Sequence, residues 1–323
     1  MIVILSNKFD LSVDYVVRYL RKCKARFIRV NTEDLIYEQV ETTFPKFSLC
    51  ITNKGKQCDL SKNLHSVLFR RPGKPFEFSQ RSNRPKLAVI KYIENQWHTY
   101  LESLCLIDNV LWVNDPLRNH QAENKILQLK RANELGFHVP KTCITSSKER
   151  AIEFSETCTD GVVAKALRVP LIECRNKDFF IYTTKVTSFQ FPDSEFRIAP
   201  TIFQQAIVDK IDYRVTIVGS TCFAVKIQST SDALVPLDWR SAKDRLQYIP
   251  VTLPVEIENK CLRLVKDLGL VFGAIDLVES NGQFLFLEIN PSGEWGWIQK
   301  DAQLPIAEAL GELLIHGYSK ADQ

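Results

Sequence analysis

Two carboxylates interrupt the apolar strand patterns near the C-terminus of this 323-residue chain, at Asp276 and Glu288. A buried carboxylate costs several kcal/mol unless a cation or a metal ion compensates its charge. We therefore predict that the two strands pair as a hairpin and share one cation. Asn290 follows Glu288 by two residues, and three oxygen ligands of this kind suit octahedral Mg²⁺. The alternative is that both carboxylates form salt bridges with neighbouring Lys or Arg side chains.

The connection between the two strands decides whether these carboxylates share a face. Side chains alternate faces along a strand, so a two-residue turn at Asn281-Gly282 would turn Asp276 away from Glu288. A three-residue loop, residues 280–282 with a left-handed glycine, instead pairs Asp276 with Phe286 and brings both carboxylates to one face. We therefore predict the three-residue loop.

Composition excludes several classes of protein. With 45% hydrophobic and 25% charged residues, the chain is not disordered, and its length predicts two or three domains. A net charge of +4 is too small for a protein that coats nucleic acid. Nine scattered cysteines without a CxxC pair indicate neither a zinc module nor a thioredoxin motif. Since the sequence shows neither a signal peptide nor a bilayer-spanning run, we expect a cytoplasmic protein without nucleic-acid or membrane partners.

Strand and helix patterns predict a mixed fold. They alternate over the first 115 residues, which indicates an α/β unit with a largely parallel sheet. A helical segment, residues 121–135, follows the break at Asn114-Asp115-Pro116. Later paired strands, the carboxylate hairpin and a terminal helix at 305–316 are of the α+β type. The predicted fold class is therefore α/β and α+β.

Phosphate groups of a nucleotide would have to bind to side chains, because the chain has neither GxGxxG nor GxxxxGK[ST]. Lys165 lies in the apolar run 162–166, where a phosphate would satisfy its charge, and Lys125 lies near the start of a helix. The alternative for each is a lysine whose ammonium reaches solvent.

An extended segment at 203–207 precedes Asp212-Tyr213-Arg214. Extended backbone can bind the edge of adenine, acidic or amide side chains can bind ribose, and Arg214 can clamp a phosphoryl group in transfer. A strand edge with ordinary surface charge is the alternative.

Two further pairs of charged residues are candidates for substrate binding. Asp238 and Arg240 flank Trp239, and in an extended segment both project to one face. Arg70 and Arg71 follow a strand, where the carboxyl end of a sheet can bind an anion. The alternatives are an exposed salt-bridged turn and a solvated loop.

The order of these residues resembles that of the ATP-grasp ligases, and the resemblance extends over nearly the whole chain. More narrowly, the chain is similar to the graspetide synthetases, the ATP-grasp maturases of ribosomal peptides typified by microviridin ligases. The most specific feature is residues 286–295, FLEINPSGEW, since the family typically has LEINPxGE followed by Phe or Trp. Gln205 departs from the family, in which many members have glutamate.

The resemblance implies an ATP-grasp fold with an N-terminal Rossmann-like pre-ATP-grasp domain at 1–117, a central subdomain at 118–202 and a C-terminal subdomain at 203–323. It implies ATP and Mg²⁺ as cofactors. Asp276, Glu288 and Asn290 would hold the metal, and Arg214 would stabilise the transferred group. The nucleotide-binding residues would be Lys125, Lys165, Gln204, Gln205, Ile207 and Asp212, and the substrate-binding residues would be Arg70, Arg71, Asp238 and Arg240.

The activity implied is macrocyclization of a precursor peptide with a leader and an acidic core. ATP phosphorylates a Glu or Asp side chain, and a Thr or Ser hydroxyl or a Lys amine displaces phosphate to give an ω-ester or ω-amide. The leader would bind the central subdomain, where a hairpin at 171–190 is the candidate leader-sensing element; the alternative is an ordinary hairpin that covers the nucleotide. A homodimer is expected. The alternatives are a ligase of free amino acids or short peptides, similar to glutathione synthetase, and a non-catalytic leader-binding module.

Overall fold

The computed structural model describes residues 1–53, 55–78, 84–168, 171–172, 179–230 and 235–317. The helices are α1 (Leu11–Lys22), α2 (Leu60–Asn63), α3 (Leu87–Glu102), α4 (Pro116–Ala122), α5 (Lys125–Glu134), α6 (Lys148–Glu156), α7 (Asp193–Phe196), α8 (Val255–Asp267), α9 (Gly296–Asp301) and α10 (Ile306–His316). Segments of 3₁₀ helix cover Thr32–Tyr37, Ser103–Leu106 and Trp239–Arg245.

The strands form five sheets within these ranges. They are β1 (Ile2–Ser6), β2 (Phe27–Asn31), β3 (Val40–Thr43), β4 (Ser48–Asn53), β5 (Lys56–Asp59), β6 (Ser66–Phe69), β7 (Leu111–Val113), β8 (Thr142–Thr145), β9 (Val162–Lys165), β10 (Leu171–Ile172), β11 (Phe179–Phe180), β12 (Thr184–Lys185), β13 (Thr201–Gln205), β14 (Ile211–Val218), β15 (Thr221–Ser229), β16 (Leu246–Val251), β17 (Phe272–Ser280) and β18 (Gln283–Asn290).

The first sheet has the order β2-β1-β6-β7, and all its strands are parallel, as predicted. Helix α1 covers one face because Val13, Val16, Val17 and Leu20 recur at helical spacing and are buried. The Asp10 side chain caps the helix by accepting from the amides of Ser12 and Val13. Strands β3, β4 and β5 form a separate antiparallel sheet. The description of this unit as Rossmann-like stays a prediction.

The prediction of one continuous helix at 121–135 is wrong. The chain forms α4 and α5 instead, and the side chain of Asn124 accepts from the amides of Ile126 and Leu127 to begin the second helix. An asparagine that caps a helix competes with continuation of the preceding one, which explains the break. The restart makes Lys125 the first residue of α5.

Two sheets enclose the region where the candidate residues lie. The central sheet has the order β12-β9-β13-β8, and the C-terminal sheet has the order β16-β15-β14-β17-β18. The boundary predicted at 202/203 falls inside β13, which pairs with β8 and β9 of the central sheet. The domain division itself stays a prediction.

The end of the chain packs against its beginning. Helix α10 lies on α1, and the buried side chains of Val16, Leu20, Trp295 and Leu310 belong to one apolar cluster. This cluster joins the N-terminal sheet to the loop that follows β18, and so fixes the carboxylate hairpin relative to the first domain.

The hairpin loop predicted at 280–282 is wrong, whereas the predicted placement of both carboxylates on one face is right. The turn has two residues, Asn281 and Gly282, both with positive φ, and Ser280 pairs with Gln283. The extra residue that restores the register lies within β18: the pairing shifts so that Leu277 faces Phe286 while Asp276 faces Glu288. A β-bulge at residue 287, and not a longer loop, therefore brings Asp276 and Glu288 to the same face.

The hairpin predicted at 171–190 is present in part. Leu171 pairs with Phe180 and Ile172 pairs with Phe179 in an antiparallel ladder. Residues 173–178 of that prediction lie outside the described residues. No helix of the described ranges is long and apolar enough to cross a membrane.

Replacement of Gly282 tests the two-residue turn. A Cβ at this position meets no atom within 4 Å, so the cost of Gly282→Ala is that of a left-handed backbone alone. We expect a loss of about 1 kcal/mol in the free energy of unfolding by urea. Gly282→Asn should lose less, because asparagine tolerates this conformation better. An alanine variant as stable as the wild type would contradict the turn.

Candidate active site

Asp276 lies at the centre of a charged cluster on the C-terminal sheet. Its side chain is 4% exposed, and Arg214 is directly opposite it on β14. Arg214 Nη1 donates to Asp276 Oδ1 over 2.8 Å, and Arg240 Nη2 donates to Asp276 Oδ2 over 2.7 Å. Both oxygens of this buried carboxylate are therefore compensated by guanidinium groups, as burial of its charge requires.

Glu288 lies beside Asp276 and is compensated in the same way. Lys125 Nζ, from the first turn of α5, lies 3.0 Å from Glu288 Oε2, and Arg240 Nη2 donates to Glu288 Oε1. Burial by itself raises the pKa of the carboxyl, but Lys125, Arg240 and Lys165 together hold the pKa of Glu288 well below its usual range. The group is therefore a carboxylate at neutral pH.

The two carboxylates fit a metal ion. A single cationic atom, Arg240 Nη2, contacts Asp276 Oδ2 and Glu288 Oε1 at once, so these two oxygens converge on one point, as ligands of a hard cation do. Asn290 does not join them here, because its side-chain oxygen accepts from the amide of Ser292 over 2.9 Å. No group of three or more His, Cys, Asp or Glu with metal-binding geometry occurs among the described residues. The carboxylate pair would need other oxygen ligands to complete a metal site.

Lys165 enters the cluster from the central sheet. Its Nζ donates to Gln204 Oε1 over 2.7 Å, and Gln204 Nε2 donates to Thr142 Oγ1. Burial lowers the pKa of Lys165 to about 8, although Glu288 acts in the opposite direction. The amide of Gln204, which sequence reasoning assigned to the nucleotide, is therefore used to position this lysine.

The other predicted nucleotide-binding residues are Asp212, Gln205 and Ile207. Asp212 lines the cavity at the carboxylates, and Lys210 Nζ donates to both of its oxygens over 2.6 Å. Gln205 ends β13, and Ile207 follows it; both are half-buried. Their assignment to a nucleotide stays a prediction.

Asp238 and Arg240 lie in a conformation that differs from the predicted one. The segment is not extended: Arg240 belongs to the 3₁₀ segment Trp239–Arg245, and its amide donates to Asp238 Oδ1 over 3.2 Å. An aspartate that accepts from the residue two positions later favours such a turn. Both side chains nevertheless line the same cavity, and Asp238 Oδ2 also accepts from the amide of Thr183.

Arg70 is placed differently from what the prediction of a substrate site requires. It is 3% exposed, its Nε lies 3.0 Å from Asp10 Oδ2, and its Nη1 donates to the carbonyl of Gly293 over 2.9 Å. Arg70 therefore ties the loop after β18 to the N-terminal sheet, and this burial does not support contact with a substrate. Arg71 is half exposed and forms an ion pair with Glu294.

Two buried amides that sequence reasoning missed hold the hairpin in place. Asn114 Nδ2 donates to the carbonyls of Phe272 and Pro291, at the two ends of the hairpin. Gln128 of α5 completes the outer edge of β18, because its side chain donates to the carbonyl of Ile289 over 2.8 Å and accepts from the amide of the same residue over 3.1 Å. No motif distinguishes these residues from ordinary amides of a helix and a loop.

The charged residues surround one cavity of about 50 Å³. The space admits an ion or a few waters and is much smaller than an ordinary ligand pocket. Its lining residues include Lys125, Lys165, Asp212, Asp238, Arg240, Asp276 and Glu288.

Comparison of the whole chain with solved structures identifies its fold. A RiPP-associated ATP-grasp ligase of Chryseobacterium gregarium, solved in complex with ADP and a leader and core peptide, is 27% identical and superposes with a TM-score of 0.86 over 100% of this chain and 98% of that one. The chain is an ATP-grasp ligase. Macrocyclase MdnC of Microcystis aeruginosa, bound with the precursor peptide MdnA, is 23% identical with a TM-score of 0.84 over 98% of this chain and 99% of that one.

A further structure shares the fold of this ligase. PsnB, complexed with a minimal precursor, Mg and ADP, is 20% identical and has a TM-score of 0.75 over 97% of this chain and 96% of that one. No family model matches the sequence of the ligase, and a search of curated proteins finds no match. The fold predicted from the order of the charged residues is therefore confirmed by structure and not by sequence comparison.

Loss of the Gln128 side chain tests how the ligase holds its hairpin. Gln128→Leu leaves the amide and the carbonyl of Ile289 buried without partners, so we expect the free energy of unfolding to fall by about 2–4 kcal/mol in a urea titration. Gln121→Leu, at an exposed position of α4, is the matched control and should change stability by less than about 0.5 kcal/mol. Equal effects of the two variants would contradict the account.

Proposed function

We propose that this ligase is an ATP- and Mg²⁺-dependent macrocyclase of a ribosomally made precursor peptide. The observation that carries the proposal is that Asp276, Glu288, Arg240 and Lys125 line one cavity, while Arg214 donates to Asp276. The relatives solved with ADP and precursor peptides share the fold over the whole chain. Together these support a site in which a peptide carboxylate meets a triphosphate.

The charges suit this reaction. Lys125, Lys165 and Arg240 line the cavity and Arg214 donates to Asp276, so these four cations outnumber Asp238, Asp276 and Glu288 by one. Asp212 is balanced by Lys210. A surplus of positive charge in a partly dry site favours both the triphosphate and an acidic side chain of the peptide. Asp276 and Glu288, with Asn290 after rotation of its amide, would hold Mg²⁺, which supplies charge neutralisation between the phosphates.

The proposed reaction has two steps. A Glu or Asp side-chain oxygen of the peptide attacks the γ-phosphorus of ATP, and the bond to the β-phosphate oxygen breaks to give ADP and an acyl phosphate. A Thr or Ser hydroxyl, or a Lys amine, of the same peptide then attacks the acyl carbon, loses its proton and releases phosphate. Arg214 would stabilise charge on the phosphoryl group, and Arg240 with Asp238 would align the reacting side chains.

Nucleotide binding requires the cavity to widen. A space of about 50 Å³ holds an ion but not a nucleotide, so residues that line it, such as Lys165 and Glu288, would move apart when ATP binds. Ile181 and Thr183, which follow the 171–180 hairpin, line the cavity from the central side. This location supports the prediction that the hairpin at 171–190 senses the leader peptide and couples its binding to the site.

A homodimer and a cytoplasmic location are parts of the same proposal, and both rest on the resemblance to the graspetide synthetases. Light scattering of the purified protein measures its molar mass and so tests for the homodimer. A mass of one chain at concentrations used for the assay would contradict the homodimer.

The decisive test uses a candidate precursor from the reading frame beside the gene. With ATP and Mg²⁺, we expect ADP release and a peptide that loses the mass of one water for each ring. Glu288→Gln should reduce the rate by about 100-fold or more, because a ligand of the metal and a partner of Lys125 are lost together. Glu279→Gln, on the same hairpin but paired with Tyr213, is the matched control and should keep most of the activity.

Two outcomes would redirect the proposal. ADP release with free amino acids and no precursor would favour a ligase similar to glutathione synthetase. Binding of the peptide without ADP release by the wild type would indicate a non-catalytic module. Full activity of Glu288→Gln would contradict the proposed mechanism itself.

Nucleotide affinity should depend on pH through Lys165. Burial lowers the pKa of Lys165 to about 8, so the lysine loses its positive charge as pH rises through that value. Affinity for a non-hydrolysable ATP analogue should therefore fall between about pH 7 and pH 9. Lys165→Arg stays charged in this range and should flatten the profile. Calorimetric titration measures both, and a flat wild-type profile would contradict the assigned role.

A further inference from the structure

A dense basic segment lies far from the catalytic charges in sequence. Residues 15–32 carry six cations, Arg18, Arg21, Lys22, Lys24, Arg26 and Arg29, and no Asp or Glu. Without these six, the remaining 36 Lys and Arg are outnumbered by 38 Asp and Glu. The net positive charge of the protein is therefore concentrated in the segment that runs from the second half of α1 to β2.

Three of these cations, Arg18, Arg21 and Arg29, line a cleft between α1 and β2. The cleft has a volume of about 500 Å³, and its lining residues are Lys8, Asp14, Val17, Arg18, Arg21, Phe27, Arg29 and Asn31. Two of the lining cations already have carboxylate partners: Arg29 forms an ion pair with Asp14, and Lys8 Nζ lies 3.8 Å from Asp34 Oδ1. Arg18 and Arg21, in contrast, are exposed and have no carboxylate within ion-pair distance in the part of the chain that is described. Two cations at the rim are thus available to an anionic ligand.

The floor of the cleft suits an extended peptide. Strand β2 is an edge of its sheet and pairs only with β1 among the described strands, so its outer backbone groups can pair with an added strand. Phe27, Arg29 and Asn31 alternate along β2 and all face the cleft. An added strand would place acidic side chains against Arg29 from β2 and against Arg18 and Arg21 from α1.

A series of contacts connects the cleft to the candidate active site. Arg29 Nη2 donates to the carbonyl of Asn7 over 2.7 Å, and Asn7 Nδ2 donates to the carbonyl of Arg71 over 2.8 Å. Arg71 pairs with Glu294, whose backbone carbonyl accepts from Arg214. Side chains that line the cleft are therefore connected by direct contacts to the arginine that pairs with Asp276.

Two other occupants fit the cleft poorly. A second copy of the chain that pairs β2 with β2 would bring two segments of six cations together, which costs free energy by like-charge repulsion. Single-stranded nucleic acid needs aromatic faces on which bases stack, whereas the ring that lines this cleft, Phe27, packs against the apolar cluster of α1 and α10. An acidic peptide meets neither difficulty.

We propose that the cleft between α1 and β2 is a docking site for an acidic, extended peptide segment. Binding of an acidic peptide there follows from the cleft itself. That this peptide is part of the precursor which reacts at Asp276 and Glu288 rests on the proposed function.

The test is fluorescence anisotropy with a labelled peptide of alternating Glu and Ala, without ATP or Mg²⁺. Arg18→Gln/Arg21→Gln should weaken binding at least about tenfold, since two charge-assisted contacts are lost. Lys22→Gln/Arg26→Gln removes the same charge from exposed residues of the same segment that do not line the cleft, and should weaken binding less than about threefold. The same peptide with Gln in place of Glu should bind at least about tenfold more weakly than the acidic one to the wild type.

The outcomes separate this proposal from the proposed function. Equal losses in both double variants would overturn the docking site and indicate a diffuse charge effect. Tighter binding of a labelled oligouridine than of the acidic peptide would also overturn it and indicate a nucleic-acid site. Glu288→Gln should bind the acidic peptide as the wild type does, so a loss of ligase activity in that variant leaves the docking site intact.

Discussion

The structure of the candidate site depends on one guanidinium nitrogen that compensates two carboxylates, one buried and one half-buried. Arg240 Nη2 contacts both Asp276 and Glu288, and each carboxylate has a second cation of its own, Arg214 or Lys125. Carboxylates so close together repel each other unless positive charge lies between them. In the folded protein Arg240 supplies the positive charge that lies between the two carboxylates. Two oxygens that converge on one cation in this way also suit Mg²⁺ beside a triphosphate.

The scaffold that holds this pair comes from distant parts of the chain. Asn114 binds both ends of the hairpin, Gln128 completes the edge of β18, and Arg70 binds the loop beyond it. All three are buried, and each satisfies backbone groups that would otherwise be unpaired. The N-terminal unit therefore positions the site, in addition to any contact that it makes with a peptide.

Local chemistry predicted much of this arrangement, and long-range packing accounts for what it missed. The cost of taking two carboxylates out of water led to the prediction that Asp276 and Glu288 share a face and one compensating cation. Arg240 contacts both, and Arg214 and Lys125 add salt bridges of the kind that were the alternative. The sequence did not distinguish a bulge at residue 287 from a longer hairpin loop, since both bring the two carboxylates to one face of the sheet. Arg70 had the sequence context of a substrate site, and only its contacts with Asp10 and Gly293 show that it is structural. Gln128 gave no signal, because its partner lies 161 residues away.

The proposed role of Asp276 and Glu288 is that of a metal centre beside a bound nucleotide. Titration of Mn²⁺ into the protein with a non-hydrolysable ATP analogue, followed by electron paramagnetic resonance, measures it directly. The wild type should immobilise Mn²⁺ more tightly than the analogue alone does, and the Asp276→Asn/Glu288→Gln variant should lose this gain while it remains folded. Equal Mn²⁺ affinity in the wild type and the double variant would contradict the account.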